Sequence, residues 1–266
     1  MPKNILDTNI SDFLIKKFSL VNKVALVTGG NTGIGYEIAL ALAKAGADLY
    51  IFCYDNTNTA QMEKEVVKLG RKIVFEYGDL TNSKTLVQIV PHVLQNFQHL
   101  DIVVNNAGAI SRTPILSGTD EEWQHVLAIN LTAVYQLSRE AAQVMVNQQS
   151  GKIINIASML SYQGGKFVPS YTASKHGVAG LTKAFCNELA SYNIQVNAIA
   201  PGYIETANTA PIRQDPVRSA EILNRIPSGR WGQPQDLGLT AVFLASPASD
   251  YLNGSLISVD GGWLAR

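Results

Sequence analysis

The stretch Val24-Ala-Leu-Val-Thr-Gly-Gly-Asn-Thr-Gly-Ile-Gly35 determines the fold that we expect for this chain of 266 residues. A short apolar run leads directly into a glycine-rich turn, and a segment of helical length follows. Glycines allow a tight turn, and the helix start offers free N–H groups to a pyrophosphate. The spacing is G-x-x-x-G-x-G rather than the usual G-x-G-x-x-G, so a glycine turn without a ligand remains the alternative.

Short apolar runs alternate with segments of helical length along the rest of the chain. The predicted strands are Val24–Thr28, Leu49–Cys53, Ile73–Tyr77, Ile102–Asn105, Lys152–Ala157, Ile194–Ala200 and Leu256–Val259. Such alternation predicts a parallel sheet, and strands that are apolar throughout fit burial on both faces. We therefore predict an α/β fold, a single Rossmann-like doubly wound parallel sheet of about seven strands with helices on both faces. It spans residues 20–266 and follows an N-terminal extension, residues 1–19.

The composition limits the class of protein. Hydrophobic residues make up 46% and charged residues 16%, which argues against disorder, and the formal net charge of +0 makes nucleic acid a poor partner. The two cysteines are too few for a disulfide framework, and no apolar run approaches the roughly 20 residues of a membrane helix. We predict a cytoplasmic protein without a nucleic-acid or membrane partner, and the four histidines show no metal-ligand spacing, so we predict no metal site.

The end of the second predicted strand bears on the choice of nicotinamide cofactor. An acidic residue there binds the ribose hydroxyls of NAD, and a basic one accepts the phosphate of NADP. The segment Phe52-Cys-Tyr-Asp-Asn56 contains Asp55 but no Arg or Lys, which favours NAD(H) over NADP(H). Asp55 is also placed to cap the following helix. Asp79, after the third strand, is either an adenine contact or a turn residue.

Tyr171 and Lys175 stand four residues apart, so they share one face of a predicted helix. An ammonium group near a tyrosine lowers the hydroxyl pKa from its usual value of about 10. The pair is therefore a candidate proton donor and acceptor. An isolated pair of this kind is more often a half-buried aromatic residue beside a solvated charge.

In their order along the chain, these motifs resemble the classical short-chain dehydrogenases/reductases. The residues concerned are Thr28-Gly-Gly-Asn-Thr-Gly-Ile-Gly35, Asn105-Asn-Ala-Gly108, Asn130, Ser158, Tyr171-x-x-x-Lys175 and Pro201-Gly202. The resemblance implies a catalytic tetrad of Asn130, Ser158, Tyr171 and Lys175. In it Ser158 binds a carbonyl oxygen and Tyr171 exchanges a proton with it. Lys175 lowers the Tyr171 pKa and holds the ribose, while Asn130 bends a helix and holds a relay water.

The resemblance also implies a cofactor site and a homotetramer. The cofactor-binding residues would be Gly29, Asn31, Thr32, Gly33, Ile34, Gly35, Asp55, Asp79, Leu80, Asn106, Ala107, Gly108, Tyr171, Lys175, Pro201, Gly202, Ile204 and Thr206. The long segment Pro201–Pro234 follows a late strand, where a lid over a ligand would lie.

Three further stretches resemble the 2-deoxy-D-gluconate 3-dehydrogenases, also known as 2-dehydro-3-deoxy-D-gluconate 5-dehydrogenases. They are Lys152-Ile-Ile-Asn-Ile-Ala-Ser-Met-Leu-Ser161, Asn197-Ala-Ile-Ala-Pro-Gly-Tyr203 and Asp260-Gly-Gly-Trp-Leu-Ala-Arg266. The resemblance implies NADH-dependent reduction of 3-deoxy-D-glycero-2,5-hexodiulosonate to 2-keto-3-deoxy-D-gluconate in uronate breakdown. The alternatives are a gluconate 5-dehydrogenase or other polyol dehydrogenase of the family, and a catalytically inactive nucleotide-binding scaffold.

A sugar acid needs a positive partner for its carboxylate, and arginine serves best through paired hydrogen bonds. Arg112 follows the fourth strand, and Lys166 and Gln163 lie in the loop between Ser158 and Tyr171. We expect these residues, with Ser158, to bind the substrate. For each of the two cations, a solvated surface charge is the alternative.

Overall fold

A computed structural model describes residues 5–266, with side chains from residue 9 onward. Residues 1–4 of the predicted N-terminal extension lie outside the described residues. Seven strands form one parallel sheet in the order β3-β2-β1-β4-β5-β6-β7, which confirms the predicted α/β fold. The strands are β1 Val24–Thr28, β2 Asp48–Cys53, β3 Ile73–Tyr77, β4 Ile102–Asn105, β5 Gly151–Ile156, β6 Ile194–Pro201 and β7 Leu256–Val259.

Helices cover both faces of the sheet. They are α1 Ile5–Phe18, α2 Gly33–Lys44, α3 Thr59–Lys68, α4 Ser83–Phe97, α5 Asp120–Leu127, α6 Ala133–Gln148, α7 Pro169–Leu189, α8 Ala210–Gln214, α9 Pro216–Arg225 and α10 Gly238–Ala245. One core packs α2 and α10 against the sheet, through residues such as Ile38 and Ala241. The second core lies on the other face and packs α4 and α6, through residues such as Ile89 and Leu137. Burial on both faces explains why the strands are apolar throughout.

The strand order places the site. β1 lies in the middle of the sheet, with β2 on one side and β4 on the other. From β1 the chain adds β2 and β3 toward one edge of the sheet, and from β4 onward it adds strands toward the other edge. At this reversal the carboxyl ends of β1 and β4 leave a crevice between the loops that follow them. The glycine turn of the sequence begins at this end of β1, where the Gly29 N–H donates to the Phe52 carbonyl at 2.7 Å.

Two segments differ from the sequence-based expectation. One of the segments of helical length that the sequence predicts, residues 121–146, is interrupted by a π-helical turn at Ala128–Thr132, which contains Asn130. The predicted lid contains α8 and α9, where a long loop was expected. Helix α9 forms because Asp215 caps its first turn by accepting from Val217 N and Arg218 N, at 3.0 Å each.

Helix α1 belongs to the predicted N-terminal extension and lies on the surface. Its described side chains are exposed, and Phe13 and Ile15 retain 59% and 63% of their accessible surface. Among residues 5–266, no helix is long and apolar enough to span a membrane.

Candidate active site

A cavity of about 590 Å³ lies at the carboxyl ends of the central strands. Among the predicted cofactor residues, those that line it are Gly29, Asn31, Thr32, Gly33, Ile34, Gly35, Asp55, Asp79, Leu80, Asn106, Ala107, Gly108, Tyr171, Lys175 and Thr206. Pro201, Gly202 and Ile204 are not among the lining residues. Ile204 is buried in the core and borders a separate, smaller hollow.

The cavity also includes residues that were not predicted, namely Phe52, Tyr54, Gly78, His125, Ile129, Ile156, Ala207 and Asn208. Several of these adjoin predicted strand ends, so extending each motif by one or two positions would have found them. His125 and Ile129 come from α5 and the π-helical turn. No local motif marks these two residues, because their place depends on how the helix packs over the sheet.

The glycine turn has the shape of a pyrophosphate cradle. Gly29 and Gly33 have φ angles of +59° and +53°, which favour glycine. A Cβ atom on Gly35 would collide with the Gly29 carbonyl oxygen and with Nδ2 of Asn106. Helix α2 starts at Gly33, so its free N–H groups lie at the cavity wall. These features fit a dinucleotide whose pyrophosphate lies at the helix N-terminus.

The end of β2 forms an acidic corner of the cavity. Asp55 accepts a hydrogen bond from Thr57 N at 2.9 Å, and Asn31 Nδ2 donates to the Asp55 carbonyl at 3.1 Å. Hydrogen bonds from Thr57 hold the pKa of Asp55 below its usual value, so the exposed carboxylate is ionised at neutral pH. In the part of the chain that the structure describes, Lys175 is the only Lys or Arg that lines this cavity.

Tyr171 and Lys175 lie together on α7, and both line the cavity. The Lys175 ammonium lies 5.5 Å from the centroid of the Tyr171 ring and donates to the Ile156 carbonyl at 2.6 Å. Burial lowers the pKa of Lys175 to about 8. The ammonium is therefore mostly charged at neutral pH and loses its charge in mild alkali.

The groups that shift the pKa of Tyr171 differ from those predicted. Burial raises the pKa of Tyr171, and the Ser158 hydroxyl and the Arg112 guanidinium oppose this rise. Lys175 is not among the groups that change the Tyr171 pKa, and its ammonium donates to the Ile156 carbonyl. Arg112 acts on this candidate proton donor, which the sequence motif does not reveal.

Ser158 and Asn130 are held in place by the backbone around them. Ser158 follows β5 and is buried, and its Oγ accepts from Leu160 N at 3.1 Å, which leaves its hydroxyl hydrogen available. Asn130 is fully buried, and its Oδ1 accepts from Ala109 N at 2.8 Å. Its Nδ2 donates to the Ala109 carbonyl and to Ser174 Oγ, at 2.9 and 3.1 Å. The Asn130 side chain therefore joins the loop after β4 to α7.

The predicted substrate residues differ in how close they lie to the site. Arg112 donates to the Asn208 carbonyl at 2.7 Å, which joins the loop after β4 to the segment after β6. Lys166 is exposed and lies 5.1 Å from the centroid of the Phe167 ring. Gln163 is half-buried, and none of the predicted substrate residues, Arg112, Ser158, Gln163 and Lys166, is among those that line the cavity. Ser158 and Arg112 both affect the pKa of Tyr171, whereas Gln163 and Lys166 do not.

Comparisons with known proteins agree with this geometry. A family model described as "Enoyl-(Acyl carrier protein) reductase" matches residues 29–264. The 2-dehydro-3-deoxy-D-gluconate 5-dehydrogenase of Bacillus subtilis is 52% identical over 254 residues, which are 96% of this chain and 99% of that protein. The chain belongs to the short-chain dehydrogenase/reductase family. The family predicted from the ordered motifs is confirmed, and the chain is an oxidoreductase.

Two solved structures of short-chain dehydrogenases/reductases are also similar. One, from Agrobacterium tumefaciens, is described as a candidate 2-deoxy-D-gluconate 3-dehydrogenase with bound NADP. It is 44% identical with a TM-score of 0.87 and covers 94% of this chain and 99% of its own. The other is a gluconate 5-dehydrogenase from Burkholderia cenocepacia in complex with NADP and tartrate. It is 34% identical with a TM-score of 0.90, and the match covers 95% of this chain and 99% of its own.

Proposed function

We propose that this chain is an NADH-dependent reductase of a keto-deoxy sugar acid. Its reaction would convert 3-deoxy-D-glycero-2,5-hexodiulosonate into 2-keto-3-deoxy-D-gluconate. One observation carries the proposal. Tyr171 lies in a cavity that fits a dinucleotide, and its hydroxyl is acted on by both the Ser158 hydroxyl and the Arg112 guanidinium. We infer from this that the carbonyl and the carboxylate of one small substrate find their partners around the Tyr171 hydroxyl.

The chemistry divides between the cofactor and the side chains. A bound nicotinamide cofactor supplies the hydride. Ser158 donates a hydrogen bond to the substrate carbonyl oxygen, which stabilises the negative charge that develops there. Tyr171 gives its proton to that oxygen, and its raised pKa keeps it protonated before the reaction. Lys175 would hold the cofactor ribose, and Asn130 joins α7 to the loop after β4 through its hydrogen bonds to Ala109 and Ser174.

The sugar-acid class of substrate rests on two supports. The Arg112 guanidinium opposes the rise of the Tyr171 pKa, and guanidinium groups bind carboxylates through paired hydrogen bonds. The relative from Bacillus subtilis is named for a keto-deoxy sugar acid, and 96% of this chain aligns with it. Assembly as a homotetramer and a cytoplasmic location stay predictions from the sequence.

The preference for NADH rests on the acidic corner at Asp55. A phosphate on the adenosine ribose would meet this ionised carboxylate without a cation beside it, whereas ribose hydroxyls would donate to it. The two solved relatives hold NADP. The proposed preference for NADH therefore rests on the residues of this chain alone.

Asp55→Asn tests the cofactor preference. Asparagine keeps the Oδ1 atom that accepts from Thr57 N but removes the charge. We expect the ratio of kcat/KM with NADH to kcat/KM with NADPH to fall by about tenfold, which corresponds to about 1.4 kcal/mol. An unchanged ratio, or a wild-type enzyme that prefers NADPH, would contradict the assignment.

A second candidate within the family is a gluconate 5-dehydrogenase, which the relative from Burkholderia cenocepacia favours. NADH consumption with 3-deoxy-D-glycero-2,5-hexodiulosonate and with 5-ketogluconate separates the two. We expect kcat/KM for the deoxy substrate to be higher by at least about tenfold, since extra polar groups without partners weaken transition-state binding. A higher value for 5-ketogluconate would favour the gluconate enzyme, and no turnover with either would favour the inactive scaffold.

A further inference from the structure

Residues 206–214, which we call the strap, form one side of the candidate cofactor cavity. Three of them, Thr206, Ala207 and Asn208, are among the residues that line it. A Cβ atom built on Gly33 would lie 3.6 Å from Cγ2 of Thr206, so the Thr206 side chain lies next to the first residue of α2. The strap therefore borders the place where the helix N-terminus would receive a pyrophosphate.

Most polar contacts of the strap stay within its own stretch of chain. Thr209 Oγ1 donates to the Ile204 carbonyl at 2.6 Å and accepts from Thr206 N at 3.0 Å. Arg213 Nη2 donates to the Thr206 carbonyl at 3.2 Å. Near the far end of the strap, Ile212 packs against a small hydrophobic cluster. These contacts shape the strap and anchor its far end, but they do not attach the end that lines the cavity to the rest of the site.

One hydrogen bond joins the strap to a distant part of the chain. Arg112 Nη2 donates to the Asn208 carbonyl at 2.7 Å, and the two residues are 96 positions apart. Among the hydrogen bonds that we find within residues 9–266, no other connects residues 206–214 to a residue outside the segment 201–234. A charged donor makes a stronger hydrogen bond than a neutral one. Among polar contacts, the position of the strap beside the cavity thus depends on Arg112.

Arg112 extends from a loop that is anchored on both sides of it. On one side, Asn130 pairs with both backbone polar groups of Ala109, at 2.8 and 2.9 Å. On the other side, Thr113 N donates to the Phe167 carbonyl at 2.9 Å. The guanidinium therefore connects the strap to a part of the site that is itself held in place.

We propose that Arg112 is a positioning residue for the cofactor, which fastens the strap beside the pyrophosphate end of the cavity and so slows the release of NADH. This inference rests on the proposed function, since it takes the cavity to be a nicotinamide cofactor site. The guanidinium acts through the Asn208 backbone rather than by touching the dinucleotide. Among the described residues, Nη2 is the one nitrogen of this guanidinium that has a partner, so its other N–H groups stay available for the substrate carboxylate.

Arg112→Met tests the inference, with Arg71→Met as the matched control. Arg71 Nη1 also donates to a distant carbonyl, that of Gly46 at 3.0 Å, but neither of these two residues lines the cavity. Stopped-flow displacement of NADH by excess NAD, with no sugar acid present, measures the rate of NADH release. We expect this rate to rise about fivefold or more in Arg112→Met, because the lost bond has a charged donor, and to stay within about twofold of wild type in Arg71→Met.

Digestion by trypsin gives a second readout, which does not depend on activity. Arg213 is the only Lys or Arg among residues 206–214, so cleavage after it reports on the strap alone. In the NADH-loaded protein we expect this cleavage to be faster in Arg112→Met than in the wild type or in Arg71→Met. The reason is that a segment with fewer contacts opens more often, and the protease cuts the open form.

The outcomes separate the inference from the proposed function. A folded Arg112→Met variant that releases NADH and is cut after Arg213 at wild-type rates would overturn the inference alone. An equal rise of NADH release in Arg71→Met would also overturn it, because a general loss of stability would then be the cause. A wild-type chain that binds no nicotinamide cofactor would overturn the proposed function, and the inference with it.

Discussion

Lys175 is a cation held almost completely out of water. Its side chain is buried beneath the cavity and donates to the Ile156 carbonyl at 2.6 Å. Removal of an ammonium from water disfavours its charged form, which is why its pKa falls to about 8 from 10.5. A cofactor ribose would return polar contacts to the ammonium.

The buried charge predicts a pH dependence of stability. The folded chain releases the Lys175 proton near pH 8, while the unfolded chain keeps it to about pH 10.5. Between these values the unfolded state binds more protons, so the free energy of unfolding contributed by this group rises with pH. Relative to Lys175→Met, we expect the cofactor-free wild type to gain up to about 3 kcal/mol across this window.

Chemical unfolding at pH 7, 8, 9 and 10.5 measures this difference. The comparison with Lys175→Met removes the contributions of the other groups that titrate in alkali, including the tyrosines. Parallel curves for the two proteins would show that Lys175 has an ordinary pKa in the folded chain, and so would contradict the buried charge.

The candidate catalytic residues could be predicted from the sequence more readily than the residues that act on them. Tyr171, Lys175 and Ser158 were predicted as catalytic residues because several motifs, in their order along the chain, resemble those of a known family. The influence of Arg112 on Tyr171 could not be found this way. Arg112 lies in an irregular loop whose path is fixed by a hydrogen bond to Asn208, far away in the chain.

At the scale of elements, the turn between β1 and α2 has little room to change. Asn106 Nδ2 donates to the carbonyls of Thr28 and Gly29, at 3.0 Å each, and so holds this turn against the end of β4. Gly35 lies in the first turn of α2, packed against these same groups. The close fit explains why a glycine is required at this place in the helix.

Gly35→Ala should damage both the fold and the cofactor site. The added methyl group would collide with the Gly29 carbonyl and the Asn106 amide, and such overpacking typically destabilises a protein by about 1–3 kcal/mol. We expect a lower Tm and a Kd for NADH at least about tenfold higher.

Gly118→Ala is the control for that substitution. A Cβ atom there would meet only the Pro114 carbonyl at 3.8 Å, an ordinary contact, so both readouts should stay close to wild type. Equal Tm and equal NADH affinity in the two variants would show that the Gly29–Gly35 turn tolerates a side chain, contrary to the structure.

The boundaries of several elements depend on tertiary contacts, so they were harder to predict from the sequence. The π-helical turn forms where Asn130 reaches across to Ala109 and Ser174, and this packing interrupts an otherwise helical pattern. The helices of the predicted lid were missed because proline-rich sequence suggests a loop. Here Pro216 occupies the first turn of α9, a position that tolerates proline.

For the whole molecule, the site follows from the order of the strands. Residues from the ends of β1, β2, β4, β5 and β6 meet at one edge, because all seven strands are parallel. The alternation of apolar runs with helical segments was enough to predict this arrangement, since such chains have few allowed topologies. It could not predict which loops close over the site, because their contacts are long-range.

The same arrangement brings the candidate proton donor to the candidate cofactor cavity. Tyr171 enters it from α7, Ser158 lies at the end of β5, and the glycine turn forms the opposite wall. A scaffold without activity would not require a tyrosine hydroxyl on which a serine hydroxyl and a guanidinium both act. We therefore propose that Tyr171 protonates the substrate carbonyl.

Single-turnover reduction by the NADH-loaded Tyr171→Phe variant tests that claim most directly. The phenylalanine keeps the ring on α7 and removes only the hydroxyl. We predict that the rate of reduction of 3-deoxy-D-glycero-2,5-hexodiulosonate falls at least about a hundredfold, with NADH affinity unchanged. A variant that binds NADH normally and keeps more than about a tenth of the wild-type rate would contradict the claim.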